Sequence, residues 1–365
     1  MLNEKQTAAV DKVKKWYETG NEQVFKLAGY AGTGKTYTAG IIAEEVRNAA
    51  FYAFTGKAAL VMRQRKMPAT TIHSLIYNVE SKFVDTPSGK KKRLVSTLKD
   101  YLDPEPDLII VDEYSMVGDK LLKDLMSFDI PTLAVGDPFQ LPSVGDKESE
   151  LLQNPDITLD EIMRQDEGSP IVYLADKIRR GVPLDTDESV DGVIWQLSKN
   201  RLKLELPNII DWADQVIAGR NQSVSEINNI ARTILHYTDD EKPEDGEKII
   251  CKRNDWEQIL VGDEITYALV NGMIGYCNNI RREEKMEQTP WERKHDLTIY
   301  DYFMSFRPVF ENKAEFKNLK FEPGSLFETS KKRQWMKDMI FQFAYCITCH
   351  CLCIVTGKQI GRAHV

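Results

Sequence analysis

VFKLAGYAGTGKTYTAGIIAEEV, residues 24–46, is the stretch that decides the fold class. Val24 to Ala28 form a short, mostly apolar run suited to a buried parallel strand, and the stretch ends in a segment of helical period. Between them, Gly29-Tyr30-Ala31-Gly32-Thr33-Gly34-Lys35-Thr36 keeps the spacing G-x-x-x-x-G-K-[ST]. Glycines let the backbone wrap closely enough for successive N–H groups to cradle phosphate oxygens, and the N-terminus of the next helix adds favourable potential. Lys35 would reach the β- and γ-phosphates, and the Thr36 hydroxyl would hold Mg²⁺. Strand, phosphate loop and helix in that order predict an α/β nucleotide-binding protein.

Two later runs supply the rest of such a site. PDLIIVDEYSMV, 106–117, is an apolar run ending in Asp112-Glu113, which places both carboxylates at the C-terminal edge of a parallel sheet, where ligands bind. Asp112 would complete the Mg²⁺ shell, and Glu113 is the natural base to orient an attacking water. A solvated Asp-Glu at a strand end is common, so this reading leans on the phosphate loop beside it. TLAVGDPFQLPSVG, 132–145, is another apolar strand followed by Gly136-Asp137 and Gln140 in a proline-punctuated loop. That amide would sense the γ-phosphate; on spacing alone a plain turn reads equally well.

Composition sets the bounds. With 365 residues, 42% of them hydrophobic and 28% charged, the chain is expected to form two or three ordinary globular domains. A net charge of −8 argues against coating nucleic acid over the whole surface, yet leaves room for a locally basic groove. The longest nearly apolar stretch, Ile340 to Val355, is interrupted by Gln342, Thr348 and His350 and falls short of the roughly 20 residues of a membrane span. The N-terminus is polar with no apolar signal core, and six cysteines, two of them isolated, fit a reducing compartment. A cytoplasmic protein is the expectation.

Six ordered motifs in the first 165 residues resemble those of superfamily-1 helicases, in the branch of RecD and the phage helicase Dda. LNEKQTAAV is similar to the branch's N-terminal motif, in which Gln6 would read adenine. FTGKAALVM (54–62) and ATTIHSLIY (69–77) resemble its two single-strand-contacting motifs. VDEYSMV, GDPFQLPSV and LDEIMRQ resemble the second, third and fourth. The resemblance implies that Arg164 reaches the γ-phosphate across a domain cleft and that Thr55, Lys57, Thr71 and His73 face a DNA strand. Taken alone, His73 reads nearly as well as a partly buried imidazole capping a helix.

The resemblance also organises the remaining chain. Residues 78–107 are too long for a simple crossover, and KFVD and KKRLVS around TPSG read as a β-hairpin. In the family an insertion here is a pin that splits the duplex, with Phe83 or Val84 as wedge residues; GKKKR reads equally as a solvated turn. SPIVYLADKIRRG, 169–181, has helical spacing and a helix-ending Arg-Arg-Gly. DQVIAGRNQSVSEINNIAR, 214–232, reads as strand, turn and helix, resembling the start of a second RecA-like domain. Short strands with an Asn271-Gly272 turn between 244 and 280 suit the SH3-like barrel that the family inserts there. DYFMSFRPVF either packs on that barrel or touches DNA.

At the end, FQFAYCITCH, 341–350, resembles the family's fifth motif, where Thr348 and His350 would face DNA. CLCIVTGKQIGRAHV matches nothing that follows in relatives. IGRAHV is a translation of ATC-GGA-AGA-GCA-CAC-GTC, the start of a widely used sequencing adapter, so at least Ile360–Val365 are expected to be an artefact. Cys346, Cys349, Cys351 and Cys353 lack a second ligand pair elsewhere, which argues against a metal site.

The expected architecture is therefore a RecA-like P-loop NTPase with two RecA-like domains, the second incomplete, carrying a hairpin insertion and an SH3-like barrel insertion. The first domain takes 1–165; the second begins at 166–243, is interrupted at 244–335 and resumes at 336–350 before a doubtful tail, 351–365. The implied activity is ATP-dependent, Mg²⁺-dependent 5′–3′ translocation and unwinding on single-stranded or forked DNA by a monomeric motor, working with replication or recombination proteins and no membrane. As given, the chain is expected to be truncated and weakly active. The rival readings are a P-loop switch or loader that does not unwind, and a DNA-binding fragment that does not hydrolyse.

Overall fold

The computed structural model describes residues 2–30, 32–86, 89–140, 154–161, 170–183, 188–190, 194–213, 215–218, 221–237, 242–252, 254–262, 266–284, 300–311, 313–321, 343–345 and 352–354. They fall into two compact units, one within residues 1–196 and the other within 197–358.

The first unit begins with helix α1 (Glu4–Thr19), which Asn3 starts and Gly20 ends. Asn3 accepts from the Gln6 N–H and Gln6 reaches back to the Asn3 N–H, a reciprocal cap that satisfies two helix-end donors. Then come β1 (Val24–Gly29), α2 (Lys35–Glu45), β2 (Ala49–Ala53), α3 (Gly56–Gln64), β3 (Ala69–Thr71) and α4 (Ile72–Ile76). A hairpin, β4 (Tyr77–Thr86) and β5 (Gly89–Leu98), precedes β6 (Leu108–Asp112), α5 (Asp119–Met126), β7 (Thr132–Gly136), β8 (Ile157–Leu159) and α6 (Pro170–Arg179). A two-stranded ribbon, β9 (Glu188–Val190) with β10 (Ile194–Gln196), closes the unit.

Six strands form one parallel sheet in the order β3-β2-β6-β7-β1-β8. Successive side chains of a strand leave opposite faces, and both faces of this sheet are covered. Leu108 and Ile110 of β6, with Leu133 and Val135 of β7, join one apolar cluster with residues of α1, α2 and α3. Ile109, Val111 and Ala134 join the other with residues of α4 and α5. A sheet buried on both faces explains why these strands read as unbroken apolar runs.

The hairpin expected within 78–107 is present. Tyr77 pairs with Leu98 and the ladder runs without a shift to Thr86 and Gly89. The helix expected over 169–181 is α6, ended by Gly181 at φ 69°; it groups with the first unit, although the sequence reading assigns it to the second.

The second unit holds α7 (Lys199–Trp212), then β11 (Val216–Ala218) and α8 (Asn221–Ile234), which are the strand and helix expected within 214–232; the turn between them lies outside the described residues. β12 (Lys248–Cys251), β15 (Ile274–Glu284), β16 (Tyr300–Pro308), β17 (Phe316–Phe321) and β18 (Phe343–Tyr345) make an antiparallel sheet in the order β17-β16-β15-β12-β18. β13 (Asp255–Val261) and β14 (Thr266–Leu269) pair separately, and β19 (Leu352–Ile354) lies parallel to β11. DYFMSFRPVF thus supplies a strand of this sheet, with Met304 and Phe306 fully buried. Arg232 of α8 makes a two-pronged ion pair, 2.7 and 2.8 Å, with the fully buried Glu247. No helix among the described residues is long and apolar enough to cross a membrane.

Candidate nucleotide site

Register places the site. β1 lies beside β7 with Ala28 opposite Gly136, and β6 lies beside β7 with Val111 opposite Ala134. Gly29, Asp112 and Gly136 therefore end their strands along one edge of the sheet, and the phosphate loop turns from β1 into α2 there.

Within the loop, Gly32 and Gly34 have φ of 82° and 79°, left-handed values that a Cβ disfavours. Gly29 is a glycine for a different reason. A Cβ there would stand 2.8 Å from Thr33 Oγ1 and 2.9 Å from the Leu159 carbonyl oxygen. Lys35 Nζ donates to the Gly29 and Tyr30 carbonyls, both at 2.9 Å, so the ammonium is held in the mouth of the loop. Thr36 Oγ1 donates to Asp112 Oδ2 at 3.0 Å. These two oxygens, on different elements, suit a hard divalent cation such as Mg²⁺.

Glu113 follows directly. Its N–H donates to Asp112 Oδ1 at 2.9 Å, and its own φ is 57°. A glutamate in the left-handed region costs about 1–2 kcal/mol, and such strain concentrates at functional sites. The kink ends β6 and places two acidic residues in succession at the sheet edge. Gln140 lies 25 residues beyond Ser115, yet its Oε1 accepts from Ser115 Oγ at 3.0 Å. The third expected element is thus tied to the turn carrying Glu113. Asp137, 7% exposed, accepts the Phe139 N–H at 2.9 Å and shapes that loop.

Gln6 joins the same loop from α1. It is 2% exposed, and its Nε2 donates to the Thr33 carbonyl at 3.1 Å while its Oε1 accepts the Asn3 N–H at 3.0 Å. In this structure the amide that resemblance assigns to adenine braces the phosphate loop. Lys5 pairs with Asp160, and Asn3 Nδ2 donates to Glu161 Oε2 at 2.7 Å, tying α1 to the start of LDEIMRQ. Ala31, Arg164, Thr348 and His350 lie outside the described residues, as do residues 141–153.

The candidate strand-contacting residues leave the same sheet edge next door. Ala53 pairs with both Asp112 and Thr71, so β2 and β3 end level with β6. The Thr55 hydroxyl caps α3 by accepting the Ala58 N–H at 3.1 Å. Thr71 caps α4 through the Ser74 N–H at 3.2 Å and is 7% exposed. Lys57 is exposed. The helix cap is Thr71, not His73, whose ring instead stands between Phe54 (6.2 Å) and Tyr77 (5.7 Å), partly open to solvent. Partial desolvation lowers the pKa of this imidazole below its ordinary value, which favours the neutral ring.

Sequence reasoning missed Ser115 and Asn3. The Asn3-x-x-Gln6 spacing of a capping box was the available signal for the second; none marked the first. Among the described residues no cluster of three metal-binding side chains occurs.

Residues 1–194 match the family model described as AAA domain. Among curated proteins, the uncharacterised protein R530 of Acanthamoeba polyphaga mimivirus is 31% identical over 196 residues, covering 45% of this chain and 39% of that one. The ATP-dependent RecD2 DNA helicase of Deinococcus radiodurans is 31% identical over 194 residues, covering 49% of this chain and 24% of its own length. The chain thus spans well under half of either relative. Among solved structures, one of Pif1 helicases, concerned with unwinding at forked duplex DNA, covers 88% of this chain and 76% of its own at 20% identity and a TM-score of 0.49. Unliganded Pif1 from Bacteroides sp covers 88% and 74%, at 19% identity and a TM-score of 0.40.

Proposed function

We propose that this chain, which belongs to the AAA domain family, is the motor portion of an ATP-driven, 5′–3′ translocase and helicase of the RecD-like branch of superfamily 1, acting on single-stranded or forked DNA. One observation carries the reading: Thr36 and Asp112 hold their oxygens 3.0 Å apart between the phosphate loop and Glu113. That pair would hold Mg²⁺, which would supply charge neutralisation of the phosphates when bound. Lys35 exchanges its two loop carbonyls for phosphate oxygens, Glu113 orients a water, and Gln140 is held by Ser115 within reach of the turn that carries Glu113. Thr55 and Lys57 follow the end of β2 into α3, and Thr71 and His73 carry the end of β3 into α4, beside the end of β6, which supports a strand track coupled to the site. The β4–β5 hairpin is the proposed pin.

The test is ATP turnover with and without single-stranded DNA, in the wild type and in Lys35→Ala. DNA-stimulated turnover that falls by on the order of 10²–10³ in the variant supports the reading. Turnover indifferent to DNA would favour a switch or loader, and DNA binding without turnover a non-hydrolysing fragment. Duplexes with a 5′ or a 3′ single-stranded tail decide direction.

A further inference from the structure

Tyr30 occupies a position that the phosphate-loop spacing leaves open, and its ring is held on two sides. Phe139, next to Gln140 in the loop after β7, meets it with ring centroids 5.6 Å apart and planes tilted by 57°. The guanidinium of Arg179, the last residue of α6, stands over the ring 4.4 Å from its centroid. The Arg179 side chain is only 17% exposed, and removal from water is the setting in which a cation and an aromatic face attract most strongly. Asp176 lies 3.5 Å from Arg179 and is shared with Arg180 at 2.9 Å, so that carboxylate holds the Arg179 guanidinium only loosely.

The backbone of the same residue organises the loop. The Tyr30 carbonyl accepts from Lys35 Nζ and Thr33 Oγ1, each at 2.9 Å, and from the Thr33 N–H at 3.3 Å. Its N–H donates to the Leu159 carbonyl at 3.2 Å. Where the ring is fixed the carbonyl is fixed, and with it the ammonium that must turn to a phosphate. A planar guanidinium suits this place because it stacks flat on a ring, which an ammonium does not.

We propose that Arg179 is a positioning residue for nucleoside triphosphate binding: it clamps Tyr30 against Phe139 and so fixes the phosphate loop in the shape that receives the phosphates. The proposal rests on the nucleotide-site reading above. Arg179 acts through the ring and is not itself a phosphate ligand.

A fluorescent ATP analogue titrated with Mg²⁺ against the full chain tests it, using Arg179→Ala, Arg179→Lys, Tyr30→Leu, Tyr30→Phe and the double variant Arg179→Ala/Tyr30→Leu. Arg179→Ala and Tyr30→Leu should each weaken binding by about three- to tenfold, and the double variant by no more than either alone. Tyr30→Phe should recover most of what Tyr30→Leu loses, while Arg179→Lys recovers little. Additive losses, or full recovery by lysine, would make Arg179 a charge directed at phosphate and overturn the clamp. So would a loss of affinity that only tracks a lowered melting temperature of the nucleotide-free chain. Should Arg179→Ala fail to fold, the two Tyr30 variants decide, and wild-type affinity in Tyr30→Leu refutes the proposal. Absence of nucleotide binding by the wild type would instead sink the nucleotide-site reading, a result distinct from wild-type binding with unaffected variants.

Discussion

Replacing Gly34 with alanine should destabilise the first unit by about 2–5 kcal/mol, through two separable effects. Gly34 has φ 79°, and forcing a residue with a Cβ into that region costs about 1–2 kcal/mol. The new Cβ would also stand 2.5 Å from Gln6 Nε2, closer than atoms approach. Because that nitrogen ends a side chain, Gln6 would swing aside and break its 3.1 Å hydrogen bond to Thr33. Gln6 is 2% exposed and Thr33 1%, so water does not replace the bond. A buried pair left unmade costs about 1–3 kcal/mol. Urea denaturation of the full chain, followed by circular dichroism, should be run on Gly34→Ala, Gln6→Ala and the double variant. With alanine at position 6 there is no amide to displace, and Gly34→Ala should then cost only the backbone share. The expected coupling is about 1–3 kcal/mol. An equal cost of Gly34→Ala in both backgrounds, or none in either, would refute the packing of α1 on the phosphate loop.

Asp112→Asn keeps the shape at the end of β6 and removes the charge that faces Thr36. ATP turnover should fall by on the order of 10²–10³ while metal-free nucleotide binding persists, and equal loss of both would contradict the assignment. In the second unit, burial outweighs the Arg232 ion pair and pushes the Glu247 carboxyl up to about 7 from 4.5. The folded group holds its proton more tightly than the unfolded one, so this stabilisation is complete below about pH 4.5 and lost as pH rises through about 7. At about 1.4 kcal/mol per pH unit the loss is roughly 3 kcal/mol. Glu247→Gln should flatten the pH dependence of the unfolding midpoint in this range, and an unchanged slope would refute it.

The elements that sequence reading found are those whose chemistry forces a spacing or a period. The phosphate loop needs its glycines at fixed positions, and β4–β5 alternates cleanly because its ladder runs unshifted from Tyr77 to Gly89. DYFMSFRPVF, 301–310, resisted assignment for a physical reason. β15 and β16 shift register between Asn278 and Arg281, and β16 and β17 between Met304 and Phe306. Each shift moves side chains out of two-residue alternation, so the period that would announce a strand is broken. Long-range partners were illegible for another reason. Ser115 with Gln140, Gln6 with Thr33, and Arg179 with Tyr30 meet only once the sheet has brought distant segments together, and no local pattern encodes that. Resemblance supplied directions for Thr55 and Thr71 but hid their local work as helix caps.

On the proposed function, the sheet edge would couple nucleotide chemistry to strand contact without a long relay. β2 and β6 are adjacent, and Ala53 pairs with Asp112 itself. One strand spacing, about 4.8 Å, thus separates the end of the strand that carries the candidate metal ligand from the end that leads into Phe54 and Thr55. Parallel strands hydrogen-bonded along their length and buried on both faces do not bend independently, since packed interiors transmit displacement rather than absorb it. A change in how Asp112 and Thr36 share their oxygens therefore acts on a turn whose backbone is continuous with Glu113, and on a neighbour that opens α3. Phe54 in turn touches the His73 ring, which places α4 one contact further along. The adjacency of β2 and β6 is a property of strand order alone. It holds whatever occupies the phosphate loop, so the coupling would depend on these few residues at the strand ends and not on the rest of the first unit.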